Sequence, residues 1–432
     1  MRNSRLWRDL LGVEKTIVDD VEFDAEHQQL VVLVRPIKAA RDRCGLCQRK
    51  SPGYDAGAGR RRWRGLDFGT GMVFLEADAP RVSCRDHGVV VAWVPWARHG
   101  AGHTYAFDET AAYLATHTSK VTVVDLLRVA WRTIGAIVTR VCADIDAHTD
   151  RLDGLRRIGI DEISYKRGHR YIVVVVDHDT RKLVWAAPGR DKATVAAFFT
   201  ALGPERCALI THVSADGAAF IADVVGQHCP NAVRCADPYH VVAWATAALD
   251  VVRRQIWNEA RAAARDEPKR GRGRPRADAT PAPAGELAKK LKGARYSLWK
   301  NPENLKDHQR EKLDWIAKTS PTLHRAYLLK EGLRLIFQMT HEHAVVALQR
   351  WLVWARRCQI PAFIELAAKI TRHRDSILAA IEHNLSNALI ESTNTKLRLM
   401  TRMAFGYKNP EALISLAMLS LGSPRPALPG RK

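Results

Sequence analysis

Four residues in the first quarter of the chain have the types and spacing of a metal site. Cys44-Gly45-Leu46-Cys47 is a knuckle that can place two thiolates on one ion. Cys84-Arg85-Asp86-His87 repeats the two-residue gap with a thiol and an imidazole. Sulfur and nitrogen ligands in two such pairs suit tetrahedral Zn²⁺ in a structural role. His99 and His103 compete for the fourth position. Without a metal, Cys44 and Cys47 are incidental and His87 is a turn residue, which leaves a paired Cys-x-x-Cys in a reducing compartment without a reason.

Carboxylates offer a second chemistry. Asp161 closes the apolar run Ile158-Gly159-Ile160. A carboxylate ending a central strand is poorly solvated unless a metal or a hydrogen-bond donor meets it, although most acids at strand ends simply face solvent. Farther on, residues 385–402 read as one helix. Asn387, Glu391, Asn394, Arg398 and Arg402 then share a face, with Leu389, Ile390 and Leu397 on the other side. A single acid among Asn, Lys and Arg fits a metal ligand beside a DNA backbone. The plain alternative is a solvated face, but such faces usually mix Glu and Lys evenly.

These residues need elements to position them. Residues 171–177 are an unbroken β-branched run, as in a strand buried on both faces. Lys166-Arg167-Gly168-His169 predicts a hairpin joining it to the strand that ends at Asp161. A third strand at 182–187, a helix at 191–202, a strand at 207–215, a helix at 218–229 and a strand at 232–236 follow. The expected fold is multidomain α/β with a mixed five-stranded sheet. Asp161, Asp216 and Asp237 then lie at the ends of the first, fourth and fifth strands, where ligands bind in such sheets.

Upstream, strands alternate through residues 14–40 and recur at 71–77, which with the paired ligands suits a zinc ribbon. Helices at 107–117, 119–127 (Ser119 as N-cap) and 131–140 look like a helix-turn-helix, with Arg132, Thr133 and Arg140 toward DNA. Downstream, a basic helix at 241–264 gives way to Lys269-Arg270-Gly271-Arg272-Gly273-Arg274-Pro275-Arg276, which cannot pack a core. That run resembles an AT-hook, with Arg272, Arg274 and Arg276 entering a narrow A·T minor groove; a linker touching only phosphates is the alternative. Residues 286–383 predict helices throughout, and Trp299, Trp315, Trp351 and Trp354 read as core. The expected division is 1–104 zinc-ribbon-like, 105–150 helix-turn-helix, 151–240 first part of the sheet core, 241–384 helical insertion with the basic linker 265–285, and 385–432 second part of the core.

At 432 residues the chain is too long for one core. Its net charge of +21 selects a polyanionic partner, nucleic acid before others, and double-stranded DNA by the resemblance below. The charge is spread along the chain rather than beside an apolar span, which argues against a membrane surface. No apolar run of about 18 residues occurs, so no membrane-spanning helix is expected, and the N-terminus lacks an apolar signal core. The expected location is the cytoplasm, and a prokaryotic nucleoid by the resemblance below.

Ile158-Gly159-Ile160-Asp161-Glu162, Val213-Ser214-Ala215-Asp216-Gly217, Ala236-Asp237-Pro238-Tyr239-His240 and Ser386-Asn387-Ala388-Leu389-Ile390-Glu391-Ser392-Thr393-Asn394 together resemble DDE-type insertion-sequence transposases of the ISL-three group. The finger and helix-turn-helix precede them in the family's order, and the block from Glu391 through Gly406-Tyr407 is the most specific part. His87 departs from the fourth Cys of many relatives, an exchange that zinc tolerates.

The resemblance implies an RNase H-like core interrupted by a helical insertion before the Glu-bearing helix. It also implies a catalytic triad of Asp161, Asp216 and Glu391 holding two Mg²⁺ ions, with Mn²⁺ as a possible substitute. Asp237, His240, Asn387 and Asn394 would lie beside the site, and Lys396, Arg398 and Arg402 would meet the DNA backbone. Water attack would nick the element's terminal inverted repeat and free a 3′-OH, which would attack target DNA in line. Handling paired ends implies a homodimer or a larger synaptic complex. The rival readings are a DNA-binding regulator without catalysis and an RNase H-like nuclease.

Overall fold

The computed structural model describes residues 4–215, 218–266, 283–385 and 388–431. After α1 (Ser4–Leu10), seven strands make two small sheets. β1 (Thr16–Asp24), β2 (Gln29–Pro36), β4 (Arg60–Arg64) and β5 (Met72–Asp78) form one, in the order β1-β2-β5-β4. β3 (Gly53–Asp55), β6 (Arg81–Cys84) and β7 (Gly88–Val91) form the other. Alternate residues Val32, Val34, Val73 and Leu75 turn inward onto Trp63 and Trp96.

Three helices follow: α2 (Tyr105–His117), α3 (Lys120–Leu127) and α4 (Trp131–His148). The Thr104 and Ser119 hydroxyls accept from the backbone N–H of Phe107 and Thr122 and so cap α2 and α3. Arg128 turns left-handed (φ 52°) between α3 and α4. α4 runs past the expected end at residue 140 because Val141, Cys142 and Ile145 extend its apolar face.

The central sheet comprises β8 (Arg157–Lys166), β9 (Arg170–Asp177), β10 (Lys182–Pro188), β11 (His212–Ala215) and β12 (Val233–Ala236), ordered β10-β9-β8-β11-β12. β8, β9 and β10 are an antiparallel meander, while β11 runs parallel to both β8 and β12. This is the RNase H-like arrangement. β9 is buried on both sides, as its composition requires. Val173 and Val175 face α5 (Lys192–Leu202), α6 (Pro204–Cys207) and α7 (Ala219–His228), whereas Val174 and Val176 face the core shared with α2 and α4.

Two strands differ from expectation. β8 does not stop at Asp161 but continues to Lys166, because the long β9 pairs with it up to Lys166↔Arg170. Asp161 marks instead the point just past the last pairing with β11, Ile160↔Ala215. β11 is only four residues long: Gly203 and Pro204 start the helical turn α6, so Cys207 and Ile210 fill the core from outside any strand.

The insertion leaves β12 through α8 (Pro238–Asp266). It continues with α9 (Pro283–Lys292), α10 (Arg295–Trp299), α11 (Asp307–Thr319), α12 (Pro321–Ile336), α13 (His341–Arg357), α14 (Pro361–Arg372) and α15 (Arg374–Glu382) around one apolar core. α15 returns to β12, where Ala379, Ala380 and Leu385 bury Cys235. α16 (Ala388–Met403) and α17 (Pro410–Leu421) then close the sheet's other face. The AT-hook-like Arg272, Arg274 and Arg276 lie outside the described residues. No described helix is long and apolar enough to cross a membrane.

Candidate active site

In-register pairing brings Ile160 of β8, Ala215 of β11 and Ala236 of β12 side by side, so Asp161 and Asp237 each follow directly on that row. Asp161 shares the sheet face of Gly159 and Ile163, the face that α16 covers. The close approach of α16 depends on Gly159: a Cβ there would sit 2.5 Å from Ile390 Cδ1. Ile390 thus seats α16 on β8, one residue before Glu391. One turn on, the buried Asn394 donates through Nδ2 to Asp161 Oδ2 at 2.7 Å. Asp161 Oδ1 accepts from the Glu162 N–H at 2.8 Å.

Asp237 is buried at the start of α8 and accepts from the N–H groups of Tyr239 and His240. Its Oδ2 lies 2.6 Å from His240 Nδ1. Glu391 is exposed as a residue, yet its carboxyl is held above the usual range. Desolvation is the main cause and Asp237 the second, with His240 and Arg398 opposing. Asp161, Asn394, Glu391, Asp237, His240 and Arg398 therefore gather around one locus. Carboxylates on three neighbouring elements offer the hard oxygen ligands that a divalent cation takes. Among the described residues Asn394 Oδ1 is buried and has no hydrogen-bond partner, as would suit a group bound in the site. Asp216 and Asn387 lie outside the described residues.

The N-terminal ligand set also converges. Cys44, Cys47, Cys84 and His87 offer ligand atoms all within 4.8 Å of one another. Cys47 Sγ is 3.7 Å from Cys84 Sγ, and His87 Nδ1 is 3.6 Å from Cys84 Sγ and 3.7 Å from Cys44 Sγ. A tetrahedron with Zn–S bonds of about 2.3 Å has S–S edges of roughly 3.8 Å, so the residues present fit zinc. The hydrogen bond from His87, above all, draws the Cys84 thiol down to about 6. Cys84 and His87 flank the β6–β7 turn, where Cys84 pairs with Gly88. His99 and His103 stand outside the cluster. His99 packs against Gly45, and His103 stacks on Phe107 with Nδ1 3.8 Å from Asp108.

Comparison with known protein families finds matches over three stretches of the chain. A family described as "Transposase" matches residues 158–417, more than half of the chain. One described as "zinc-finger of transposase IS204/IS1001/IS1096/IS1165" matches residues 40–87, and "Helix-turn-helix domain of transposase family ISL3" matches 94–142. The chain belongs to the ISL3 family of transposases. It is 62% identical over its whole length to the "Transposase for insertion sequence element IS1557" of Mycobacterium tuberculosis, covering 98% of that protein. It is 29% identical over 256 residues to the "Transposase for insertion sequence element IS1001" of Bordetella parapertussis, spanning 59% of this chain and 58% of that one. The protein is thus a transposase with a DDE domain, of a class of enzymes that cleave and transfer DNA strands.

Within this transposase the cationic residues singled out by sequence have different settings. Arg132 is exposed near the start of α4, with Thr133 half-buried beside it. Arg140 is committed elsewhere: Nε and Nη2 donate to Asp108 at 2.9 and 3.1 Å, and Asp108 is fully buried. A buried carboxylate needs its counter-ion, so Arg140 does not present a free fork to DNA. Arg398 and Arg402 are exposed on α16. Lys396 lies on another side of that helix, lining a cavity of about 480 Å³ with Lys120, Ile134 and Tyr407.

Two residues were missed from sequence. His178 Nε2 lies 2.8 Å from the buried Ser214 Oγ and ties β9 to β11 beneath Gly159. Burial first, then Arg157, holds this imidazole below its ordinary range. Asp108 gathers Arg98, His103 and Arg140, and only its place in the first turn of α2 hinted at it.

Proposed function

We propose that the protein binds the terminal inverted repeats of its insertion sequence, hydrolyses a phosphodiester at each end, and joins the freed 3′-OH to target DNA. Asp161, Asp216 and Glu391 are the catalytic acids in this reading. The observation that carries it is the Asn394–Asp161 hydrogen bond, which unites the Glu-bearing helix with the central strand across 233 residues of chain. Asp161, Asp216 and Glu391 would hold two Mg²⁺ ions, or Mn²⁺ in their place. Such ions, when bound, neutralise charge on the attacked and leaving oxygens and ease deprotonation of the water nucleophile.

The chain's own residues supply position. Asn394 fixes one oxygen of Asp161 and leaves the carboxylate little rotational freedom. His240, held by Asp237, and Arg398 set the charge around Glu391. Arg398 and Arg402 would receive the phosphates of the scissile strand, and Arg132 with Thr133 would meet DNA at the helix-turn-helix. A zinc ion on Cys44, Cys47, Cys84 and His87 would fold the N-terminal finger, and Arg272, Arg274 and Arg276 would add a minor-groove or phosphate contact. Two copies of the chain at paired ends would form a dimeric or larger synaptic complex on the nucleoid.

Asp216→Ala tests the triad. With a labelled end fragment and Mg²⁺, cleavage and strand transfer should vanish while end binding survives. A variant that still cuts the ends would overturn the assignment.

A further inference from the structure

The first turn of α8 carries His240 of the acid cluster, and the rest of that helix lines an open groove of about 1220 Å³ against α12 and α14. Tyr239 stands at the cluster end of this groove and is 64% exposed, a large aromatic left bare in a first helical turn. Trp244 follows along the same wall. The Lys369 ammonium lies 3.6 Å from the Trp244 ring centroid, with Arg372 one turn beyond and Arg234 on the neighbouring strand β12.

Among the described residues the groove's charges divide in two. Arg254 is paired with Asp250, and Arg334 with Glu303 and Glu331. Lys369 and Arg372, like Arg234 outside the lining on β12, have no carboxylate of the described residues within ion-pair distance, and Glu365 is the remaining acid of the lining. These cations oppose one another. Lys369 is held below its ordinary range by burial and then by Arg372, and His373 by burial and then by Lys369, Arg372 and Arg234. Crowded cations with no ion-pair partner call for phosphate, and the bare Tyr239 ring beside them calls for a flat partner.

We propose that this groove is the track for one unpaired DNA strand next to the scissile phosphate, with a base stacked on Tyr239 and phosphates on Lys369 and Arg372. A duplex keeps its base faces stacked inside and cannot use this ring, whereas a frayed strand can. The inference rests on the transposase reading of the acid cluster, because the groove begins where that cluster ends.

The test uses the full-length protein with Tyr239→Ala, Tyr239→Phe and the double variant Lys369→Ala/Arg372→Ala. Each is titrated by anisotropy against fluorescein-labelled dT15 and against a duplex carrying one end of the element. Tyr239→Ala should weaken dT15 binding about 10-fold and Tyr239→Phe should retain it. The double variant should flatten the dependence of log K on log salt by about 1.4, two phosphates at roughly 0.7 each. Duplex-end affinity should match wild type throughout. Unchanged dT15 affinity and salt slope would overturn the proposal, as would an equal loss on the duplex. Wild-type end cleavage in Mg²⁺, measured on the same preparations, judges the function separately: intact cleavage with unaltered dT15 binding sinks the groove alone.

Discussion

Gly159→Ala is the smallest change that should separate folding from chemistry in this transposase. The added Cβ would lie 2.5 Å from Ile390 Cδ1, 3.0 Å from Ile390 Cγ1 and 2.9 Å from His178 Nε2. Ordinary carbon contacts are about 3.5–4.0 Å, so the shortfall at Cδ1 is roughly 1 Å. Ile390 is fully buried, and β-branching holds its χ1 in a helix, so Cγ1 at 3.0 Å cannot swing clear and Cδ1 can turn about χ2 only against packed neighbours. The relief available is withdrawal of α16 from β8. Overpacking of this kind costs about 1–3 kcal/mol, or roughly 2–4 °C in Tm for each kcal/mol in a unit of this size. The larger effect should be catalytic, because Glu391 moves with Ile390: a displacement of about 1 Å can cost on the order of 100-fold. Cleavage of a labelled end fragment, run beside a gel-shift assay and a thermal melt, reads all three quantities. Adding Ile390→Val removes Cδ1 and should recover much of the rate. A Gly159→Ala enzyme that cuts at the wild-type rate, or a double variant no better than the single, would refute the argument.

Three further outcomes follow from the site. Asn394→Leu deletes the bond to Asp161; a hydrogen bond to a charged group contributes about 1.5–3 kcal/mol, so cleavage should fall roughly 10- to 100-fold with end binding intact, and a full cleavage rate would remove Asn394 from the site. Arg140→Ala leaves the fully buried Asp108 with Arg98 at 3.7 Å and His103 at 3.8 Å and should destabilise the protein by up to about 3 kcal/mol; Arg132→Ala should leave the melt unchanged but lower the salt slope of duplex binding by about 0.9, and the reverse pattern would restore Arg140 as the DNA contact. Cys44→Ser should release zinc to a chromophoric chelator and weaken end binding, whereas His87→Cys should keep the metal; equal zinc in wild type and Cys44→Ser would remove the finger.

The parts of the fold legible in sequence were those encoded locally. The Val run of β9 requires burial on two faces, the Gly168-His169 pair (φ 83° and 59°) suits a hairpin, and Ser119 announces a helix start. The exposed side of α16 with Glu391, Arg398 and Arg402 was likewise readable, since 3.6-residue periodicity needs no tertiary knowledge, but Asn394, expected on that side, is buried with Ile390, Thr393 and Leu397 because Asp161 receives its amide. Pairings between distant segments were not readable. Arg140 looked like a DNA contact because its partner Asp108 lies 32 residues upstream. Lys396 was grouped with Arg398 although the helix turns it toward Lys120 and Ile134. β8 was expected to stop at Asp161 because its apolar character ends there, yet β9 carries the pairing on to Lys166.

Ile134 and Ile137 of α4, Leu397 of α16 and Leu413 of α17 belong to one buried core. The helix that would read DNA and the helix that bears the proposed catalytic Glu391 are therefore faces of a single solid, not beads on a tether. A tethered reader would let the cut wander over whatever its linker could reach. Here the interval between recognised base pair and broken bond would be gauged by packed side chains, a ruler built into the protein.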